Sequence, residues 1–134
     1  MVIDTNVFLS GLLFGGKPEK ILKLWMKKKF IVCISPKLKA EIINKLRYKF
    51  EVEESFIQEI SDRLDRLCEK YIPKHRVKIC KDPTDNFLLE LARASGAKYL
   101  ISGDKLVLDL KKYKETQIIS PASFLEKINE RNDS

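Results

Sequence analysis

The chain has only three cysteines and one histidine, and no apolar run long enough to cross a bilayer. Cys33, Cys68 and Cys80 are odd in number and far apart, so they suggest neither a disulfide framework nor a zinc ribbon. They read as free, buried thiols in a reducing cytoplasm. The first residues carry Asp4 where a signal peptide has its basic region, so the expectation is a cytoplasmic protein with no membrane partner. His75 lies in a basic segment without a nearby nucleophile or second ligand, and it reads as a surface residue. Ser10, Ser35 and Ser120 have no triad partners. Gly11 to Lys17 has the spacing of a phosphate-binding loop, but Pro18 stands where the Mg²⁺-binding hydroxyl belongs. Gly15-Gly16 is therefore read as a helix stop. No internal repeat or interdomain linker is visible, so 134 residues form one domain over 1–128, with a frayed tail at 129–134.

What is present is basic charge, unevenly placed. The net charge is +7, and with 44% hydrophobic and 34% charged residues the chain can still bury a core. Between Lys17 and Lys49 the net is +9, between Glu51 and Glu69 it is −5, and Lys70 to Lys81 has five basic residues and no acid. That asymmetry points to an electrostatic face and to polyanionic partners, nucleic acid first.

The element order is legible. Val2-Ile3 is a short strand ending at Asp4, followed by a helix over Val7 to Phe14. A second helix runs from Pro18 to about Lys29, and Phe30 to Ile34 is a continuously apolar strand. Ser35-Pro36 caps a helix to about Lys49. The steps of three and four between Ile57, Ile60, Leu64, Leu67 and Tyr71 predict a helix from Ser55 to Tyr71. Val77 to Cys80 is either a short strand or an extended loop. Asp82-Pro83-Thr84-Asp85 opens a helix that Gly96 ends, and Tyr99 to Ser102 is the next strand. A helical turn through Leu110, a strand over Gln117 to Ile119 and a helix from Ser120-Pro121 complete the chain. Alternation of this kind predicts an α/β fold, a three-layer α/β/α sandwich around a mostly parallel sheet.

In such a sheet the carboxyl ends of the strands share one edge, where ligands bind. Asp4 and Asp104 each follow a strand. Asp85 lies in a first helical turn, and Glu41 borders the apolar face of its helix when each residue turns about 100°. Each acid also has a plainer reading: Asp4 as a helix cap, Asp82 and Asp85 as a capping box, Glu41 paired with Lys37 or Lys45, and Asp104 as a turn residue. If they converge without cations, they repel one another, and hard divalent ions relieve the repulsion. Mg²⁺ or Mn²⁺ held there can activate water and stabilise charge on a phosphate, which suits phosphodiester hydrolysis beside a basic surface.

Four motifs carry a family resemblance: Val2-Ile3-Asp4-Thr5-Asn6-Val7, Glu41 in its helix, Asp82-Pro83-Thr84-Asp85-Asn86, and Ser102-Gly103-Asp104-Lys105. In order and spacing they resemble the PIN-domain nucleases over almost the whole chain. The resemblance implies a Mg²⁺- or Mn²⁺-dependent nuclease whose acid cluster is Asp4, Glu41, Asp85 and Asp104. It implies that Asp4, Asp85 and Asp104 hold metal and that Asn6 and Ser102 support them. Leu106 departs from the pattern, because many relatives have Asp there, which bears on a second metal position. The small prokaryotic members further imply a single-stranded RNA substrate, a toxin role with a small antitoxin, and a homodimer. Lys and Arg from Lys17 to Lys49 would contact phosphates, and Trp25 and Tyr48 are the candidate stacking residues, with Trp25 read first as a core residue. Two other readings stand beside this one. The first is a non-catalytic nucleic-acid-binding module. The second is a phosphatase using Asp4 as nucleophile, disfavoured because Asn6 occupies the position of the required second acid.

Overall fold

Val2 and Ile3 are both fully buried, as are Leu100 and Ile101. Successive strand residues face opposite sides of a sheet, so burial of both in each pair means that both faces are covered. A computed structural model describes residues 1–133, and their side chains as far as Asn129. Its strands are β1 (Val2–Ile3), β2 (Val32–Ile34), β3 (Cys68–Lys70), β4 (Tyr99–Ile101), β5 (Lys112–Tyr113) and β6 (Thr116–Ile119). Its helices are α1 (Thr5–Leu13), α2 (Gly16–Met26), α3 (Pro36–Asn44), α4 (Glu54–Leu67), α5 (Asn86–Ser95), α6 (Lys105–Leu108) and α7 (Pro121–Asp133).

The sheet runs β1-β4-β6-β5, with β4 parallel to β1 and to β6, and β5 antiparallel to β6. A parallel β2-β3 pair sits on the other side of β1, joined by Cys33 N–H donating to Met1 O at 2.7 Å. From β1 the chain thus moves one way through β2 and β3, then returns to the opposite flank of β1 as β4. The order reverses between β1 and β4, and a crevice opens there at the carboxyl edge. The helix α5 lies across β1, β2 and β4, while α2 packs on α1 and α7. This is the three-layer α/β/α sandwich expected from the sequence, with a mostly parallel sheet.

Capping places the helices as the sequence predicts. Ser35 Oγ accepts from Leu38 N–H at 3.2 Å, and Ser120 Oγ accepts from Ser123 N–H at 3.1 Å. Gly96 ends α5 in the left-handed conformation, with φ of 66°. Trp25 is core, edge-on to Phe8 at 5.4 Å and donating Nε1–H to Leu67 O at 3.3 Å, so it is no stacking platform.

Three expectations are corrected. The helix predicted to Tyr71 stops at Leu67, because Cys68–Lys70 satisfies the open backbone edge of β2 and becomes β3. The helix from Ser35 loosens at Lys45–Lys49 into a π turn, which leaves Tyr48 74% exposed. A hairpin strand, β5, precedes β6, with Lys114 at positive φ in the turn. Val77 to Cys80 is loop, its N–H groups at Val77, Ile79 and Cys80 taken up by Glu90 and Asn86 side chains. The helix α7 continues past Asn129, where the sequence reading begins a frayed tail. No helix among the described residues is long and apolar enough to cross a membrane.

The α1–α2 contact is the tightest backbone approach. A Cβ on Gly11 would stand 2.6 Å from Leu22 Cδ1 and 2.9 Å from Pro18 O. Gly11→Ala should therefore destabilise the fold by about 1–3 kcal/mol through overpacking. Gly103→Ala, whose Cβ meets nothing within 4 Å, should stay within about 0.5 kcal/mol. Urea unfolding of the two variants measures the difference.

Candidate active site

Asp4 is the residue around which the crevice is built. It leaves β1 with an extended backbone and caps α1, its Oδ1 accepting from Val7 N–H at 3.0 Å. Its second oxygen is free of that duty, and Oδ2 accepts from Ser102 Oγ–H at 2.6 Å. Ser102 is fully buried at the end of β4, and its Oγ also accepts Asp104 N–H at 3.0 Å. One hydroxyl thus ties the two flanks of the crevice together and fixes the backbone from which Asp104 projects. The capping reading of Asp4 holds for Oδ1, and Oδ2 carries the Ser102 bond.

Asp104 caps α6 through Oδ1, which accepts Leu106 N–H at 2.9 Å. Asp85 behaves differently. The capping at the start of this segment falls to Asp82, whose Oδ1 accepts Thr84 N–H at 3.0 Å and Thr84 Oγ1–H at 2.7 Å. The Asp85 side chain makes no capping bond to α5. It is half-buried, with no structural duty to account for its charge.

The carboxylates feel one another. Partial burial pushes Asp85 up to about 6, aided by the negative charges of Asp104, Asp82, Asp4 and Glu41, in that order. Burial raises Asp4 as well; the hydrogen bonds from Ser102 and Val7 oppose the rise, and Asp104 adds to it. Among the described residues no Lys or Arg forms an ion pair with Asp4, Asp85 or Asp104. Glu41 is the exception in the predicted set, since its Oε1 lies 3.3 Å from Lys45 Nζ. Lys45 also donates to Oδ1 of the exposed Asn6 at 3.4 Å. Asn6 therefore sits at the rim and meets the cluster through Lys45.

Oxygen-only donors, mutual repulsion and no counter-cation suit a hard divalent ion. Among the described residues, however, no three acidic, His or Cys side chains already stand close enough together to hold one ion. The cysteines take no part: burial pushes the Cys68 thiol up to about 12 and also raises Cys80.

Sequence reasoning missed the part played by Asn86 and the full reach of Lys45, which it named only as a partner of Glu41 and a phosphate contact. Asn86 is buried, and its Oδ1 accepts N–H groups from both Ile79 and Cys80, pinning the preceding loop against α5 beside Asp85. A polar residue in the first turn of an apolar helix was the available signal. Lys45 joins Glu41 to Asn6, a link hidden because those acceptors are 35 positions apart in sequence. The buried Thr5 Oγ1 meets no hydrogen-bond partner among the described residues.

A mostly parallel sheet between helical layers, with Asp4 and Asp104 following its strands, defines an α/β protein of the three-layer class. A family model described as PIN domain matches residues 1–106, and the chain belongs to that family. PIN domains are generally nucleases that use divalent metals. Comparison with curated proteins finds no match.

Both raised carboxyls bind protons more tightly in the folded chain than in the unfolded one. Their contribution to stability is present below the ordinary value of 3.8 and is lost as pH rises through about 6 for Asp85. In EDTA, Asp85→Asn should raise Tm by a few degrees at pH 7.5 and leave it nearly unchanged at pH 3.5. Mn²⁺ should raise the wild-type Tm at pH 7.5, and raise that of Asp85→Asn much less. Differential scanning calorimetry checks both.

Proposed function

We propose that the chain is a Mg²⁺- or Mn²⁺-dependent endoribonuclease that cuts single-stranded RNA. The observation that carries this reading is the Asp4–Ser102–Asp104 linkage across the switch point, with the unpaired Asp85 beside it. Asp4, Asp85 and Asp104 would hold the metal, directly or through water. When bound, the ion supplies an activated water and neutralises charge on the phosphate.

The chain's own residues do the rest. The Ser102 hydroxyl keeps one Asp4 oxygen aimed into the crevice, while the Val7 N–H holds the other. Glu41 stands at the rim as a ligand or as the acceptor that orients the attacking water. Lys45, with Lys37 and Lys49, lines a depression that also contains Glu41 and the exposed Tyr48. These ammonium groups suit phosphates next to the cut, and the Tyr48 ring offers a stacking face. Single-stranded RNA fits this arrangement, since stacking on an exposed ring needs unpaired bases. A toxin role with a small protein inhibitor, and a homodimer, extend the reading by family resemblance.

One alternative has a specific observation behind it. Leu106 replaces an acid frequent in relatives, and no three-carboxylate ligand set is preassembled among the described residues. A module that binds RNA without cutting it would share both features.

Cleavage of a mixed-sequence single-stranded RNA should require Mn²⁺ or Mg²⁺ and stop in EDTA. Asp4→Asn should remain folded by circular dichroism and lose at least about 100-fold in rate, the scale of losing a charge-stabilising group. Ser102→Ala should lose about 10–100-fold, as for groups that orient metal ligands. RNA binding without cleavage in any metal would establish the binding module instead.

Lys45→Ala should weaken RNA binding and lower the slope of log affinity against log salt by about 1. Fluorescence anisotropy across a salt series measures that slope.

A further inference from the structure

A second concavity lies at the opposite edge of the sheet, among the residues that lead into the strands. It encloses about 750 Å³, within the range of pre-formed ligand pockets. Its wall and floor are apolar: Phe30, Tyr99, Phe124, Ile31 and Ile128. Phe124 stands edge-on to Phe30 at 5.4 Å and to Tyr99 at 5.8 Å, so the rings brace one another. Ile31 is nevertheless 59% exposed.

The lining also carries four lysines, Lys28, Lys29, Lys98 and Lys127, and no acid among the described residues. Among the described residues none of the four is paired with a carboxylate. The loop that presents two of them is fixed. Lys28 holds φ of 59°, with its N–H on Trp25 O at 2.8 Å, and Lys29 N–H donates to Leu24 O at 3.0 Å. Ammonium groups of one sign around an apolar hollow repel one another, and an anionic occupant with an apolar anchor relieves both costs.

We propose that this concavity docks an acidic amphipathic segment of another protein, with a bulky apolar side chain inserted among Phe30, Tyr99 and Phe124 and flanking carboxylates on the lysines. RNA fits less well. Phe124 is only 3% exposed and presents no face for a base. Among the described residues, the lining beyond its lysines offers only the Tyr99 hydroxyl as a polar side-chain group to meet a base edge. A second copy of the chain fits less well too. Its acidic helix α4 buries Ile57, Ile60 and Leu64, and its Asp65 and Glu54 already pair with Lys39 and Arg47. The docking surface is independent of the nuclease reading.

The probes are peptides selected from a random twelve-residue display library on the wild-type chain, counter-selected on Lys28→Glu/Lys98→Glu, then synthesised. Both substituted residues are exposed, and circular dichroism confirms that the variant folds. The expected winners pair a bulky apolar residue with flanking Asp or Glu. They shift the amide resonances of Ile31, Tyr99 and Ile128, and lose at least tenfold in affinity on Lys28→Glu/Lys98→Glu and on Ile31→Glu. Metal-dependent RNA cleavage by Ile31→Glu, at a residue outside the nuclease machinery, should match wild type. Four results would each overturn the proposal: no selective winner, winners without carboxylates, the same resonances shifted by oligouridine, or the same resonances shifted by raising the concentration of the chain alone.

Discussion

A carboxylate buried at the end of a central strand must find its solvation inside the protein, and Asp4 finds it in two directions. Val7 N–H takes one oxygen and Ser102 Oγ–H takes the other. An unpaired buried charge is costly, so the position is tolerable only where such donors are fixed in place. The fold supplies both. The turn from β1 into α1 presents its free N–H groups to Asp4, and the pairing of Ile3 with Ile101 brings the end of β4 alongside. Residues 98 positions apart in sequence thereby share one hydrogen bond.

The remaining carboxylates divide by duty. Asp82 and Asp104 cap their own turns, whereas Asp85 caps nothing and carries a raised affinity for protons, first from its partial burial and then from its negative neighbours. A charge with no structural function, set among like charges, is a candidate functional group. Lys45 supplies positive charge beside Glu41 and Asn6 and forms no ion pair with the three aspartates.

Much of this was legible in the residues. Strands that end in acids, Ser-Pro helix starts and Gly96 as a stop gave the element order and the edge on which Asp4 and Asp104 meet. What escaped depended on tertiary pairing. Cys68–Lys70 follows a helical period without a break, and only the open edge of β2 turns it into a strand. The π turn at Lys45–Lys49 leaves no mark in composition, yet it decides that Tyr48 faces solvent. Spacing placed Glu41 at the border of an apolar face, but could not choose Lys45 over Lys37 as its partner. Asn86 stood inside a quoted motif, while its role came from a loop with no periodicity of its own.

The two edges of the sheet are chemically opposite: carboxylates at the ends of the strands, lysines around an apolar hollow at their beginnings. The central claim concerns the first edge, that Asp4, Asp85 and Asp104 close on a divalent ion. Anomalous diffraction from crystals grown with Mn²⁺ tests it most directly. The account predicts an anomalous peak within coordination distance of Asp4 and Asp104, with Asp85 turned toward it. Full Mn²⁺ occupancy elsewhere, or an empty crevice in crystals that hold Mn²⁺, would contradict it.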